Sequence, residues 1–394
     1  MKVLLMRLLL LTLENHPLKR VHITDLFLKE FTSLGNEIDT VLTSFQVGSG
    51  DITVPFKGGI PSHLLLPFFR WLKYFKAREL IKNQKPDFIV ATDGIIEGII
   101  AIKLSKKFKV PVSYYLTSMF AEMDKYDFFS YKNPKDLFKW LFKSLVKPLE
   151  WYIIKNVDVF HPISDAMGRT YADLSQGKVL PLPMCPAKLF LEAGDRLTYN
   201  KVDKINLIYT GQVTPNRKLD FLIEIVRELK NKGKNIHLSI IGKFFNKRYK
   251  EHLSRLCRIL DVIDNTDLIE EVPMEDLPTY MVDANIGLCL LPPIKPFVVS
   301  SPTKVQEYLA MGIPVVANRE IEDQRIVIEN SGGGMAPPYE IDEIVKSIIQ
   351  LSSDPYRSRE MGRFGREWVI QNRDYSKMAE KIQKTYYKII LEET

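Results

Sequence analysis

Apolar runs that end in polar turns alternate along this chain with stretches of helical spacing. KPDFIVATDG, from Lys85, is such a run, IIEGIIAIKLSKKF has helical periodicity, and KVPVSYYL, ending at Leu116, is β-branched and aromatic. Residues 156–164 (NVDVFHPIS) read as a further buried strand and KVLPLP at 178–183 as a short one. Met1–Leu13 faintly imitates a signal peptide, but Arg7 interrupts the apolar run and Glu14 follows it, so a buried first strand is the expectation.

A second series opens after Pro183. KINLIYTG predicts a strand, KLDFLIEIVRELKNKG a helix closed by Gly233, and NIHLSIIG another strand. NIGLCLLP, IPVVAN and the turn SGGG at 331–334 continue it, and residues 374–393 form an amphipathic helix. Strands alternating with helices imply α/β architecture with parallel sheets covered on both faces. The expectation is two Rossmann-like, doubly wound domains facing a cleft: residues 1–185, an irregular linker at 186–203, residues 204–373, and a final helix at 374–394.

The length of 394 residues agrees with two domains, and 45% hydrophobic with 26% charged residues describes an ordinary globular chain. Cys185, Cys257 and Cys289 share no CxxC spacing, which excludes a disulfide scaffold and suits a reducing compartment. No apolar segment approaches the roughly 20 residues needed to span a bilayer. The net charge of +7 belongs wholly to residues 1–200, which hold 27 basic and 20 acidic side chains. A cytoplasmic protein, peripheral on the cytoplasmic membrane face, is the expectation.

Two stretches carry candidate chemistry. Gly211 to Lys218 (GQVTPNRK) joins a strand to a long helix, where ligands of open α/β sheets collect. Arg217 and Lys218 at such a turn suit a diphosphate, and equally fit a solvated basic pair. In SSPTKVQEYLAMG, Ser301 is the expected N-cap, Pro302 the first helical residue and Gly312 the stop, so Glu307 would be the sixth helical position. A carboxylate there could accept two ribose hydroxyls, or simply be an exposed helical glutamate.

Asp93, Thr117, Ser118 and Glu122 follow strand ends, where either acceptor-side residues or plain turns belong. The histidines lack ligand spacing and no Asp-x-Asp occurs, so no metal is expected; GxGxxG after a strand and GxxxxGK[ST] are also absent. Lys135, Lys139, Lys143 and Lys147 fall every fourth residue with aromatics between them, and 64–78 again mixes aromatics with Arg70, Lys73, Lys76 and Arg78. Both segments fit docking on a membrane surface, and both fit solvated lysines over a packed core. No nucleic-acid-binding module is recognisable.

The residues IYTGQVTPNRKLDFLIEIVREL, LSIIGK, EEVPMEDLPTYMVDANIGLCLLP, SSPTKVQEYLAMGIPVVAN and IENSGGG resemble the GT-B glycosyltransferases. The likeness is to the retaining family 4, glycosyl transferases group 1, and KPDFIVATDG, KVPVSYYLTS and NVDVFHPISDAM extend it loosely to the first half. It implies transfer of a sugar from a nucleotide-diphospho-sugar to a glycan or glycolipid acceptor, with retention and without metal or other cofactor. The first domain would then bind acceptor and the second the donor. Arg217 matches the residue that neutralises the donor diphosphate, joined here by Lys218, and Glu307 the one that holds the ribose. Ser301-Pro302-Thr303 with Lys304 match the segment beside the phosphates, and Gly242-Lys243 and Glu271-Val272 the loops flanking the base. Two positions depart from the pattern: Val299 stands where the first glutamate of E-x7-E would be, and Leu116-Thr117-Ser118 where a histidine is frequent. A catalytically silent GT-B subunit and a sugar-nucleotide epimerase are the competing readings.

Overall fold

The computed structural model describes residues 5–15, 18–44, 52–53, 70–119, 122, 135–194 and 204–393, with side chains of the helix beginning at Lys135 described only from Leu145 onward. The chain forms two compact units, which meet in sequence at Pro183/Met184 and again at Asp374/Tyr375.

Unit 1 begins with β1 (Arg7–Asn15), a helix with π-type turns, α1 (His22–Phe31), β2 (Glu37–Ser44) and β3 (Ile52–Thr53). It continues through α2 (Lys73–Gln84), β4 (Phe88–Thr92), α3 (Ile95–Phe108), β5 (Val112–Leu116) and α4 (Lys135–Lys155). β6 (Val159–Pro162), α5 (Asp165–Thr170) and β7 (Lys178–Val179) complete the run. All described pairings are parallel, in the order β3-β2-β1-β4-β5-β6-β7, with Leu8 opposite Phe88 and Thr12 opposite Thr92. Every residue of β4, β5 and β6 is buried, as expected for strands covered on both faces.

Unit 2 opens with α6 (Lys188–Gly194), β8 (Ile205–Thr210), α7 (Asp220–Asn231), β9 (Ile236–Gly242), α8 (Lys247–Ile259) and β10 (Thr266–Glu270). Next come α9 (Leu277–Met281), β11 (Ile286–Cys289), α10 (Lys295–Val298), α11 (Thr303–Ala310), β12 (Val315–Ala317) and α12 (Glu322–Ser331). β13 (Gly334–Met335), α13 (Ile341–Ser353) and α14 (Pro355–Asn372) close it, around a parallel sheet ordered β10-β9-β8-β11-β12-β13. The final helix, α15 (Tyr375–Glu393), belongs to unit 1. Its Tyr386 stacks on Phe88 at 3.8 Å and meets Ser113 Oγ at 2.6 Å and His161 Nε2 at 2.9 Å.

Three sequence expectations need correction. Residues 188–194 of the expected linker are helical, with Phe190 buried and the Leu191 carbonyl accepting from Arg366 at 2.9 Å; residues 195–203 lie outside the described set. In the aromatic and basic segment, residues 64–69 also lie outside it, but Arg70 and Lys73 turn inward. Lys73 is fully buried, donating to the Thr12 carbonyl at 2.6 Å and to Glu97 at 3.0 Å, and Arg70 Nε donates to the same carboxylate at 2.8 Å. Burial of Glu97 demands those partners, and a glutamate far along the chain is invisible to local pattern. Lys147 is likewise not part of a free stripe, since it pairs with buried Glu122 at 3.0 Å; the side chains of Lys135, Lys139 and Lys143 lie outside the described residues.

Candidate active site

In each sheet the strand order reverses beside the first strand: at β1 and β4 in unit 1, at β8 and β11 in unit 2. Ligands of open parallel sheets bind outside the carboxyl ends of the strands at such switch points.

At the unit 2 switch point the backbone itself makes room. Gly211, which follows β8, has φ +131, and a β-carbon on Gly242 at the end of β9 would stand 1.7 Å from the Gly211 carbonyl oxygen. Only glycine permits that approach. A β-carbon on Gly211 would itself lie 3.6 Å from the Lys304 ammonium, which also rests over the Tyr209 ring at 4.8 Å. Arg217 stacks on Phe297 at 4.7 Å. Cys289, the last residue of β11, senses three of the candidates at once. Burial pushes its thiol up, Lys304 and Arg217 pull it down, and Glu307 pushes it up again. Lys304 and Glu307 stand one turn apart on the helix Thr303–Ala310, and with Arg217 they lie within electrostatic reach of the end of β11.

Helix α11 is fixed against that end. The Tyr308 hydroxyl accepts from the Thr210 amide at 2.8 Å, and a β-carbon on Gly287 would meet the Tyr308 ring at 2.3 Å. Its N-cap, Pro302, offers no side-chain acceptor, so no side chain caps its first-turn amides. Burial raises the Glu307 carboxyl to about 7, against the opposing pull of Lys304. A half-buried carboxylate at this place is suited to accepting hydroxyl hydrogens from a ligand.

The helix start differs by one residue from expectation. Ser301 is not the N-cap because its hydroxyl donates to Asp323 at 2.7 Å and accepts from the Met184 amide at 3.1 Å. Thr303 is thus the first helical residue and Glu307 the fifth. The basic pair also differs: Pro215–Arg217 is a separate 3-10 turn, Lys218 adopts left-handed φ 49, and α7 starts only at Asp220. Lys218 is exposed, Lys243 is exposed over Phe245 at 5.1 Å, and Glu271 and Val272 follow β10, whose Glu270 pairs in register with Gly242.

Unit 1 assembles a second polar cluster at its own switch point. Asp93, left-handed at φ 56 and fully enclosed, accepts from the Thr117 amide and hydroxyl, both at 2.7 Å, and from Arg20 at 2.5 Å. Burial raises the Asp93 carboxyl, while Arg20 and Thr117 oppose that rise. Beside it His22 is buried, with Nε2 3.8 Å from Asp93 and neither ring nitrogen hydrogen-bonded; burial lowers its pKa to about 3. Asp93 is more than the residue of a tight turn. Arg20 and His22 carried no signal in the sequence, since nothing local ties them to a strand end 70 residues on. Ser118 is half-buried after β5, and Glu122 is held by Lys147. Among the described residues no group of three or more His, Cys, Asp or Glu side chains stands together as a metal site.

Residues 197–368 match the family model for glycosyl transferases group 1. A phosphatidylinositol monomannoside mannosyltransferase of Mycolicibacterium smegmatis, described as GDP-mannose-dependent and α-(1-6), is 27% identical over 179 residues, or 45% of this chain and 46% of that protein. The chain thus matches about half the length of its curated relatives. Among solved structures, sucrose-phosphate synthase from Thermosynechococcus elongatus superposes with TM-score 0.74 at 16% identity, covering 98% of this chain and 99% of that one. Anabaena HepE in complex with UDP-glucose gives TM-score 0.68 at 12% identity, covering 97% and 100%. These likenesses establish a common architecture. Over residues 197–368 the chain is similar to glycosyl transferases group 1, and its fold is GT-B.

Proposed function

We propose that this protein transfers a sugar from a nucleotide-diphospho-sugar to a lipid-linked or membrane-proximal glycan acceptor, with retention at the anomeric carbon and without a metal ion. The observation that carries the reading is the gathering of Arg217, Lys304 and Glu307 at the end of β11, beside the glycine pair Gly211 and Gly242. Cations and uncapped helix amides suit a diphosphate, and a carboxylate in the same place suits a ribose. The curated mannosyltransferase relatives, whose names specify GDP-mannose and a phosphatidylinositol mannoside, support the donor class and a lipid-linked acceptor.

In this reading the bond between the anomeric carbon and the diphosphate oxygen breaks while the acceptor hydroxyl oxygen bonds to that carbon from the same face. The hydroxyl proton passes to the departing phosphate oxygen. Arg217, Lys218 and Lys304, with the α11 amides, stabilise the charge that develops there. Ser301, Pro302 and Thr303 shape the segment beside the phosphates, and Lys243, Glu271 and Val272 flank the base. Unit 1 supplies the acceptor side through Thr117 and Ser118, with Asp93 positioning Thr117 from beneath, and its basic excess suits a peripheral contact with the cytoplasmic face of a membrane.

The test is the anomeric configuration of the product, followed by NMR in the presence of EDTA. An axial-to-axial outcome with undiminished rate agrees with the reading; inversion overturns retention, and loss of activity to the chelator overturns metal independence. The silent-subunit reading retains one specific observation in its favour, Val299 in place of an acidic residue, and predicts nucleotide binding without turnover.

A further inference from the structure

We propose that the outer face formed by α2, α3 and α4 of unit 1 is the surface that docks on an anionic bilayer. Helix α3 packs against both α2 and α4, so the three form one continuous layer. Large apolar side chains stand out of it into solvent: Trp71 at 38% and Phe75 at 64% exposure beside α2, and Leu145, Trp151 and Tyr152 at 58%, 44% and 43% on α4. Trp71 precedes α2 and stands four residues before Phe75, and Leu145 and Tyr152, two turns apart, share one side of α4.

Lysines sit among these rings and join the helices to each other. Lys103 of α3 lies over Trp71 at 5.9 Å, and Lys106 lies over Tyr152 at 5.6 Å while donating to Asn156 at 3.0 Å. On α4 itself Lys147 lies over Trp151 at 5.0 Å. Lys107 and Lys155 are exposed on the same two helices.

The sign of the face selects the partner. Among the side chains of α2, α3 and α4 that are described, the acidic ones are Glu79, Glu97 and Glu150; the side chain of Asp136, at the start of α4, lies outside them. Glu97 and Glu150 are buried, which leaves Glu79, paired with Lys76 at 3.5 Å, as the exposed acid. A solvated helix layer covering a core has no need to sort its charges this way or to leave two tryptophans and a tyrosine outside. Amphipathic rings at the depth of lipid headgroups with lysines around them are what an anionic membrane surface binds. No described helix is long and apolar enough to cross a membrane, so the contact is peripheral insertion of side chains.

The docking face rests on the membrane-proximal part of the proposed function and is separable from catalysis. Vesicle binding without sugar transfer would keep the face and remove the reaction, and the reverse result would do the opposite. The experiment is sedimentation with vesicles of equal parts phosphatidylcholine and phosphatidylglycerol, against vesicles of phosphatidylcholine alone. The wild type should bind the anionic vesicles and be released by salt. The triple variant Lys103→Glu, Lys106→Glu, Lys107→Glu should bind at least about two powers of ten more weakly, from about fivefold for each lysine lost near such a surface, with repulsion of the new carboxylates in addition. A variant that binds like the wild type, or wild-type binding equally strong to the neutral vesicles, overturns the proposal. Tryptophan fluorescence gives an answer that survives any folding defect of the triple variant. Brominated acyl chains should quench the wild type, and the conservative pair Trp71→Phe, Trp151→Phe should reduce that quenching, Trp140 and Trp368 remaining as emitters; quenching undiminished in the pair overturns it.

Discussion

The carbonyl oxygen of Gly211 occupies the space where Gly242 would carry a side chain, 1.7 Å from an ideal β-carbon. Two strand ends of unit 2 thus touch backbone to backbone beneath the candidate donor seat. Gly242→Ala must push them apart, because the atom it meets is backbone and cannot swing away. We expect a loss of about 1–3 kcal/mol in stability, typical of an overpacked site, together with weakened nucleotide binding. Urea unfolding and calorimetry on the same variant measure both; an alanine variant with wild-type values in each would show that the contact does not shape the seat.

Arg217 has no carboxylate among its described contacts and lies on the Phe297 ring, which holds the guanidinium without neutralising it. Arg217→Ala should lower turnover by about two to three powers of ten, as removal of one charge-stabilising donor does. Single-turnover rates at saturating donor separate this from weaker binding.

Nucleotide affinity should depend on pH through Glu307, whose carboxyl burial holds near 7. In the proposed role the ionised form accepts two hydroxyl hydrogens, so affinity should be full above pH 7 and fall as the pH drops through it. Glu307→Gln should bind more weakly at pH 8 and show a flat profile across that range. A wild-type profile without a step near 7 would contradict the assignment.

Glu150 provides the matching prediction for stability. Burial raises its carboxyl to about 7, Glu122 adds to the rise, and the Tyr171 hydroxyl and Lys147 oppose it. The folded protein therefore holds this proton more tightly than the unfolded chain, whose glutamate titrates near 4.5. Stability contributed by the protonated form is present below about pH 4.5 and is lost as the pH rises to about 7. Glu150→Gln keeps an acceptor for Tyr171, which donates at 2.7 Å, and cannot ionise. It should be the more stable protein at pH 8, by at most on the order of 3 kcal/mol. Thermal melts of both proteins across pH 5–8 would show the curves diverging upward in pH, and parallel curves would refute the shift.

Local pattern was sufficient where structure is local. The apolar run Phe88–Ala91 and the helical spacing of Ile95–Phe108 placed β4 and α3 because a strand buried on both faces and the helix over it each write their own periodicity. The GQVTPNRK turn and the SSPTK helix start stood out for the same reason, although Ser301 turned to Asp323 and moved the cap to Pro302. What sequence hid were partners distant in the chain. Arg70 and Lys73 looked like surface bases until Glu97 drew them inward, and Arg20 and His22 join Asp93 only because β1 and β4 are neighbours in the sheet.

In the proposed function the residues at the end of β11 hold a nucleotide-diphospho-sugar for transfer. Release of nucleotide diphosphate, measured across a panel of nucleotide sugars with membrane lipid extract as acceptor, tests it most directly. Release is expected with at least one donor, dependent on added lipid and reduced about a hundredfold or more in Arg217→Ala. Absence of release from every donor, or release that is equal in Arg217→Ala, would contradict it.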